Sequence, residues 1–327
     1  MFNLMVDEFP TVFTTLRQVM TGGEPPSLEH IRRIHRDQPH LRLVHVYGPV
    51  ESMIFTHAYP IVEPPNTALP VGTPIADRRC YLLDEQLRLV PTGVTGEVYV
   101  TGGGLADGYL RRSELTAAAF VADPHGPPGT RMYRTGDLAR WTTTGVIELM
   151  GRADHQLKIR GFRVEPGEVE AALAQHPTVG RVLVLAHTDQ PGDKRLVAYI
   201  VPTNPTTNAE PAQLRRFAAG ILPEHMVPSA VIVLPTFPLM ANGKVDRKQL
   251  PPPTYGPSTE GRTARNPQET VLCNLYAEIL NVQTVSIDDS FFDLGGHSLL
   301  AAKLGSRISA VLGVEVTIRD VFQAPTV

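Results

Sequence analysis

The sequence predicts a multidomain protein of α/β and α+β class that ends in a small helical bundle. Three observations predict this class. Helices and strands alternate over about the first 60 residues, short strands separated by Gly and Pro follow up to Met150, and apolar residues at helical spacing return after residue 265. A chain of 327 residues with 42% hydrophobic content has room for two or three domains with their own cores.

The first predicted segment, residues 1–153, has two parts with different predicted secondary structure. An apolar face precedes the glycine turn at residues 21–23, and residues 41–46 are typical of a strand, which together predict an α/β pattern. Residues 69–150 then predict a β-rich region, for example around the sequence Gly96–Val100.

The next predicted segments are an α+β unit over residues 154–252, a linker over residues 253–264 and a helical bundle over residues 265–327. The linker is rich in Pro, Gly, Ser and Thr. The elements expected in the α+β unit are a helix from Pro166, strands at 181–186 and 196–201, a helix at 211–222 and a strand at 231–234. In the bundle, a second helix begins near Ser298 and ends at Gly313.

Composition excludes several classes of function. Thirty basic and 33 acidic side chains give a net charge of −3, which argues against a nucleic-acid partner. Cys80 and Cys273 are the only cysteines, so a disulfide framework or a cysteine-based zinc site is not expected. No apolar run is long enough to span a membrane and no signal peptide is evident, so the expected location is the cytoplasm.

The most informative stretch is the run Asp288–Leu300. It places Ser298 after two glycines and a histidine, at the start of an apolar-periodic segment. Such a serine suits a phosphate-linked arm, because helix N-termini favour anions. A Gly-Gly-X-Ser run alone is typical of an ordinary capped helix. The flanking Phe291 and Phe292 and the aspartates before them favour an attachment site.

Five stretches upstream carry candidate chemistry, and each has a plainer interpretation when taken alone. Glu51 can be a solvated carboxylate in a turn, and Lys244 a surface lysine on an Asn-Gly turn. Asp137 lies on a glycine-kinked loop and can accept two hydroxyl hydrogen bonds, as a ribose would offer. The five stretches are residues 45–51, 96–110, 133–138, 151–170 and 242–247.

In this order, and followed by the serine run, these stretches resemble the adenylation domain and the peptidyl carrier domain of nonribosomal peptide synthetases. Leu222–Pro228 also fits this pattern, and the resemblance covers essentially the whole chain. It implies that residues 1–153 are the C-terminal part of an adenylate-forming large subdomain, that residues 154–252 are its small mobile subdomain, and that residues 265–327 are a carrier domain.

The resemblance implies ATP-dependent amino acid adenylation, followed by loading of the acyl group as a thioester. Tyr47 would stack on adenine, Gly22 and Gly23 would pass close to the nucleotide, Asp137 would bind the ribose hydroxyls, and Arg152 would lie beside the ribose or phosphate. These residues form the implied ATP or AMP site.

The remaining implied roles concern catalysis and transfer. Glu51 would hold Mg²⁺, and Lys244 would contact the substrate carboxylate and the α-phosphate. Asp154 would be the hinge about which the small subdomain swings, bringing the loop 158–161 to the pantetheine tunnel. Lys158 itself is expected to be solvated or structural. Ser298 would carry the covalent 4′-phosphopantetheine.

Substrate and partner expectations follow from the same resemblance. Val46, Ile54 and Phe55 would line the side-chain pocket, with Val19 and Thr21 nearby, or else belong to the core. The implied partners are an amino acid, a phosphopantetheinyl transferase and neighbouring condensation or thioesterase domains. A small MbtH-like accessory protein completes the set.

Two departures from the family pattern shape the alternatives. His45 and Val50 stand where the family usually has Asn and Thr, so a hydrogen bond to the nucleotide phosphate is lost. The phosphate loop and the amino-group-binding aspartate would lie before Met1, and the carrier would be clipped at Val327, so this chain alone is expected not to adenylate efficiently. The alternatives are a non-catalytic carrier fragment loaded in trans and a free-standing acyl-CoA or aryl ligase, which would not explain Ser298.

Overall fold

The computed structural model describes all residues except 25, 67, 155, 160, 191–192, 205–208, 241, 254–260, 293 and 297. The chain divides into two compact units, Met1–Phe162 and Arg163–Val327. The predicted linker lies largely outside the described residues, and the predicted boundaries after residues 153, 252 and 264 stay predictions. No described helix combines the length and the apolar character needed to cross a membrane.

The first unit opens with a four-stranded sheet, which bears out the predicted α/β pattern. Its elements are α1 (Phe2–Glu8), β1 (Gln18–Gly22), α2 (Leu28–Asp37), β2 (Arg42–Tyr47), β3 (His57–Ile61) and β4 (Thr73–Pro74). Strands β1 and β2 are parallel and are joined through α2. Strand β3 pairs antiparallel with β2, and β4 pairs antiparallel with β3. Helix α2 buries Ile31 and Ile34 against this core.

The rest of the first unit is the predicted β-rich region. Its elements are β5 (Arg78–Leu83), β6 (Gly96–Gly102), α3 (Ser113–Ala119), β7 (Phe120–Ala122), β8 (Arg131–Trp141) and β9 (Ile147–Arg152). The strand order is β5-β6-β8-β7, with β9 paired to β8, and all of these neighbours are antiparallel. Val98, Val100 and Ile147 alternate inward and form its core.

The second unit starts with the α+β segment. The first unit ends within a hairpin of β10 (Leu157–Ile159) and β11 (Phe162–Val164). This hairpin leads into α4 (Pro166–Leu173), β12 (Val179–Gln190), β13 (Asp193–Pro202), α5 (Pro211–Ala219) and β14 (Ala230–Val233). Helix α4 begins at Pro166 as predicted. Strands β12 and β13 extend beyond the predicted limits, because backbone pairing continues through polar residues such as His187 opposite Arg195. Helix α5 ends before the predicted Leu222, next to Gly220.

The predicted helical bundle completes the second unit. It contains α6 (Pro267–Leu280), α7 (Ser298–Leu312) and α8 (Ile318–Gln323) around a core with Tyr276, Phe291 and Leu304. The side chain of Asn266 accepts from the backbone of Glu269 and so caps α6. Short 3-10 helices over the described chain lie at Pro10–Thr15, Val50–Ser52, Glu224–Met226 and Arg247–Gln249.

Candidate functional site

The first part of the site is the edge of the sheet where the parallel strands β1 and β2 end. Gly22 is the register partner of Val46, and Tyr47 is the last residue of β2. Both Val46 and Tyr47 are buried. In open α/β sheets, ligands bind beyond the carboxyl ends of the parallel strands. The two parallel strands therefore bring the predicted nucleotide residues of two separate motifs to one edge.

Tyr47 is joined to Asp137 and Arg152 in a buried polar cluster. The Tyr47 hydroxyl donates to Oδ2 of Asp137 at 2.5 Å, and Nη1 of Arg152 donates to Oδ1 of the same carboxylate at 2.6 Å. The backbone N–H of Asp137 donates to the hydroxyl of Thr135. A carboxylate has roughly four lone-pair positions, so both oxygens of Asp137 keep acceptor capacity for a ligand hydroxyl.

The antiparallel pairing of β8 and β9 sets this cluster. Asp137 and Arg152 are direct register partners, next to an irregularity between Leu138 and Ala139 that shifts the pairing. Arg152 also holds Asp154, with Nε and Nη2 each 2.7 Å from a carboxylate oxygen. The predicted hinge residue is thus tied to the predicted ribose-binding residue through one guanidinium group.

The electrostatics keep the Tyr47 hydroxyl neutral and Arg152 charged near neutral pH. Burial raises the pKa of Tyr47 well above its usual value, and the charge of Asp137 raises it further, so the hydroxyl remains a donor. Burial lowers the pKa of Arg152. Hydrogen bonds to Asp154 and the charges of Asp137 and Asp154 outweigh that effect and raise this pKa above its usual value.

Gly136 gives a test of how tightly this cluster is packed. Gly136 and Gly145 share a backbone φ of +76°, but only at Gly136 would an added Cβ meet protein atoms, 2.6 Å from Asp154 and 2.7 Å from Arg152. Gly136→Ala should therefore lower the free energy of unfolding by about 1.5–3 kcal/mol more than Gly145→Ala, because hydrogen bonds of charged groups are displaced. Urea denaturation of both variants measures the difference. Equal losses would contradict a tightly packed cluster.

Two buried histidines lie on the strands that carry and pair with Tyr47, namely His45 on β2 and His57 on β3. The ring of His57 lies 5.6 Å from the ring of Tyr47, and its Nδ1 is 2.8 Å from the hydroxyl of Thr56. Nε2 of His57 has no hydrogen-bond partner among the described residues. His45, where the family usually has Asn, places Nδ1 2.7 Å from the carbonyl oxygen of Pro70. Burial lowers the pKa of both histidines, to about 4 for His57.

This lowered pKa predicts a loss of stability in acid. His57 stays neutral when folded but takes up a proton at its ordinary pKa when unfolded. Its contribution is therefore complete above about pH 6.5, and about 2 kcal/mol of it is lost at about pH 5. Denaturation of His57→Gln at neutral pH and at about pH 5 should show a smaller acid loss than the natural chain or His40→Gln, which changes an exposed histidine. Identical acid losses in all three proteins would rule out this contribution.

Lys158, interpreted from the sequence as solvated or structural, makes a specific contact with Tyr47. Its ammonium group lies 5.4 Å from the centroid of the Tyr47 ring, a cation–π arrangement. The predicted adenine platform is therefore in contact with the chain segment that follows the hinge. Neither Lys158 nor His57 carried a sequence signal for this position, because both contacts arise from tertiary packing.

Glu51 lies in the short 3-10 helix Val50–Ser52 that follows Tyr47. Its Oε1 accepts a hydrogen bond of 2.6 Å from the hydroxyl of Tyr109. Within the described part of the chain, no three His, Cys, Asp or Glu side chains are grouped for a metal ion. Mg²⁺ commonly uses one or two carboxylates together with substrate phosphates. The oxygen donor of Glu51 fits a cation shared with a nucleotide, not a metal held by protein ligands alone.

The predicted side-chain pocket residues do not share one environment. Val46 is buried, whereas Ile54 and Phe55 are exposed, as is Val50 at 80% of its surface. Val19 is half-buried and Thr21 is buried. The structure thus brings Val46 to the strand edge and leaves Ile54 and Phe55 on an exposed loop, and their role in a substrate pocket stays a prediction.

Lys244 lies in the second unit on the expected turn. Gly243 has a φ of +80°, the backbone N–H of Lys244 donates to the side-chain oxygen of Asn242, and the residue is exposed. Met240 closes the turn by donating to the carbonyl of Lys244. Lys244 thus lies exposed on a closed turn, and its catalytic role stays a prediction.

Ser298 is the first residue of α7 and is exposed. The preceding loop is fixed by Phe291, which is fully buried, packs edge-on against Tyr276 and donates its N–H to the carbonyl of Pro325 at 2.7 Å. The backbone N–H of Gly296 donates back to Phe291. An accessible hydroxyl at the N-terminus of a long helix is thus held on a packed support, beside backbone N–H groups that favour a phosphate. His297 lies outside the described residues.

Comparison with known proteins gives three family matches in chain order. They are AMP-binding enzyme over residues 1–110, AMP-binding enzyme C-terminal domain over residues 168–244, and phosphopantetheine attachment site over residues 270–327. The chain is 50% identical over 319 residues to a dimodular nonribosomal peptide synthase of Bacillus subtilis (strain 168), covering 96% of this chain and 13% of that protein. It is 49% identical over 310 residues to the probable non-canonical nonribosomal peptide synthetase CymA of Salinispora arenicola (strain CNS-205), covering 94% of this chain and 4% of that protein.

A solved structure gives the same assignment of domains. The holo form of PA1221, described as an NRPS protein containing adenylation and PCP domains, bound to a vinylsulfonamide inhibitor, superposes with a TM-score of 0.76 at 31% identity. The match covers 94% of this chain and 51% of that one. The chain therefore spans about half of this structural relative and a small part of the curated relatives.

Proposed function

Since the chain belongs to the nonribosomal peptide synthetases, as the C-terminal part of an adenylation domain joined to a carrier domain, we propose that it activates an amino acid and carries it as a thioester. The observation that carries this proposal is the presence of two features in one chain. One is the buried cluster of Tyr47, Asp137 and Arg152 at a strand edge, and the other is the exposed Ser298 at the start of α7.

In the first half-reaction, a carboxylate oxygen of the amino acid attacks the α-phosphorus of ATP, and pyrophosphate leaves. The ring of Tyr47 supports the adenine, and the free acceptor positions of Asp137 take the ribose hydroxyls. Arg152 stays charged and holds Asp137 in position. Glu51 would hold Mg²⁺, which supplies positive charge to the phosphates when bound. Lys244 stabilises the negative charge that grows on the reacting oxygens.

In the second half-reaction, a 4′-phosphopantetheine arm on Ser298 would supply the thiol. The acyl group of the aminoacyl-AMP would pass to that sulfur, with release of AMP and a proton. The arm is joined to Ser298 as a phosphodiester, and the exposed hydroxyl at the helix N-terminus favours this group. A tethered thiol raises the effective concentration of the nucleophile at the adenylate.

Movement of the small subdomain about Asp154 separates the two half-reactions. Asp154 lies two residues beyond the end of β9 and is about half exposed. A backbone rotation there would change its two hydrogen bonds from Arg152 and the one from the backbone N–H of Gln156. The rotation exchanges Lys244 for the loop 158–161 at the active site. Lys158 already contacts Tyr47 in this structure, which supports a role of that loop at the nucleotide platform.

The partners follow from this chemistry. A phosphopantetheinyl transferase supplies the arm, and condensation or thioesterase domains take the acyl group onward. An amino acid is the substrate, and an MbtH-like protein is proposed as an accessory partner. The residues proposed to contact the side chain of the substrate amino acid are the buried Val46 and the exposed Ile54 and Phe55.

Loading of an acyl group onto the chain that carries the phosphopantetheine arm tests the proposed function. The same measurement distinguishes adenylation by this chain from the alternative of a carrier that is loaded in trans. The exposed Ser298 on its packed support favours a carrier in either case. The chain carrying the arm is incubated with ATP, Mg²⁺ and a mixture of amino acids, with and without an intact adenylation protein of the same family. An acyl mass gain without the added protein supports adenylation by this chain. A gain that needs the added protein supports loading in trans, and no gain in either case contradicts both.

A further inference from the structure

One short hydrogen bond outside the Tyr47 cluster joins two motifs that lie far apart in the chain. The hydroxyl of Tyr109 is 2.6 Å from Oε1 of Glu51 across a sequence separation of 58 residues. We propose that Tyr109 is a positioning residue that fixes the carboxylate of Glu51 for a nucleotide-bound divalent cation. The inference rests on the proposed function, because it takes Glu51 as the residue that holds this cation.

Contacts with neighbouring residues, and not the Glu51 contact alone, hold Tyr109 in place. Its backbone N–H donates to the hydroxyl of Thr116 at 2.9 Å, and its ring packs edge-on against Phe120 with centroids 5.7 Å apart. Gly108 approaches Thr116 so closely that an added Cβ would lie 2.3 Å from its methyl carbon. The phenol is therefore oriented before any ligand binds, and little side-chain freedom remains to be lost.

The same loop also holds the backbone of Glu51. The N–H of Ala106 donates to the carbonyl oxygen of Glu51 at 2.8 Å, while Tyr109, three residues later, donates to its carboxylate. A glutamate side chain otherwise has considerable rotamer freedom, which must be lost when a cation binds. With one oxygen fixed by a phenol donor, the carboxylate has a defined direction. Hydrogen-bond partners of metal ligands typically change metal affinity about 10–100-fold.

The proposal predicts that loss of the Tyr109 hydroxyl lowers ATP affinity only when Mg²⁺ is present. Tyr109→Phe removes the donor and keeps the ring, so it should weaken ATP binding by about 10–100-fold in excess Mg²⁺ and leave it unchanged in EDTA. Tyr99→Phe is the matched control, because the hydroxyl of Tyr99 likewise contacts a glutamate, at 3.5 Å from Glu97, and Tyr99 lies on strand β6 away from Glu51 in sequence. A purely structural role of Tyr109 would lower ATP binding alike with and without Mg²⁺.

The experiment is isothermal titration of the 327-residue chain and its variants with ATP, in Mg²⁺ and in EDTA. Glu51→Gln sets the full size of the Mg²⁺ effect, and adding Tyr109→Phe to it should change nothing more. The proposal is overturned if Tyr109→Phe retains the Mg²⁺ effect of the natural chain, or loses affinity equally in both conditions. If the natural chain shows no Mg²⁺-dependent ATP binding, the proposed function fails, and this inference fails with it.

Discussion

Arg152→Met should lower the free energy of unfolding of the first unit by about 3–5 kcal/mol. The side chains of Arg152 and Asp137 are only 13% and 9% exposed, so removing the guanidinium leaves a carboxylate buried without its counter-ion. The hydroxyl of Tyr47 still donates to Asp137, but a neutral donor replaces little of the lost charge interaction. The same change removes both hydrogen bonds that Arg152 donates to Asp154.

Arg140→Met is the matched control for this prediction. Arg140 pairs with Glu148 across the same two strands, β8 and β9, but the pair is 45% and 25% exposed, so its loss should cost less than about 1 kcal/mol. Trp141 is the only tryptophan and packs on the core of the first unit, so its fluorescence during urea denaturation reports on that unit. Similar midpoints for the two variants would show that the Asp137 cluster is not a buried, stabilising pair.

Ser298→Ala should abolish every covalent loading step while the second unit stays folded. The hydroxyl is exposed at the start of α7, so its removal costs about 1 kcal/mol or less. Without that oxygen no phosphodiester forms, and no thiol is available to accept an acyl group. The measurements are thermal unfolding, expected to be nearly unchanged, and acyl transfer to the chain, expected to be lost. Ser306→Ala on the same helix is the control and should keep full transfer.

Local signals predicted much of the fold. Pro166 begins α4 and Gly313, with a φ of +69°, follows the end of α7, as proline and glycine at these positions indicate. The alternating strands after residue 69 were also predictable, because their pattern reflects which side chains face the core. The limits of β12 and β13 were not, since pairing there continues through polar residues with no periodic signal.

Sequence reasoning named the candidate site residues one by one, but it could not give their arrangement. The resemblance gave Asp137, Arg152 and Asp154 separate roles, whereas their mutual contacts depend on the register of β8 and β9 and on the irregularity within it. Register follows from pairing between strands, which one strand's sequence does not encode. The contact between Tyr109 and Glu51 needs a loop folded over a distant motif, so no local pattern could indicate it.

Intact-mass measurement after incubation with coenzyme A and a phosphopantetheinyl transferase tests the central claim most directly. The account predicts that the natural chain and Ser306→Ala each gain the mass of one phosphopantetheine, while Ser298→Ala gains none. A natural chain that stays unmodified, or a Ser298→Ala chain that gains the same mass, would contradict the assignment of Ser298 as the attachment site.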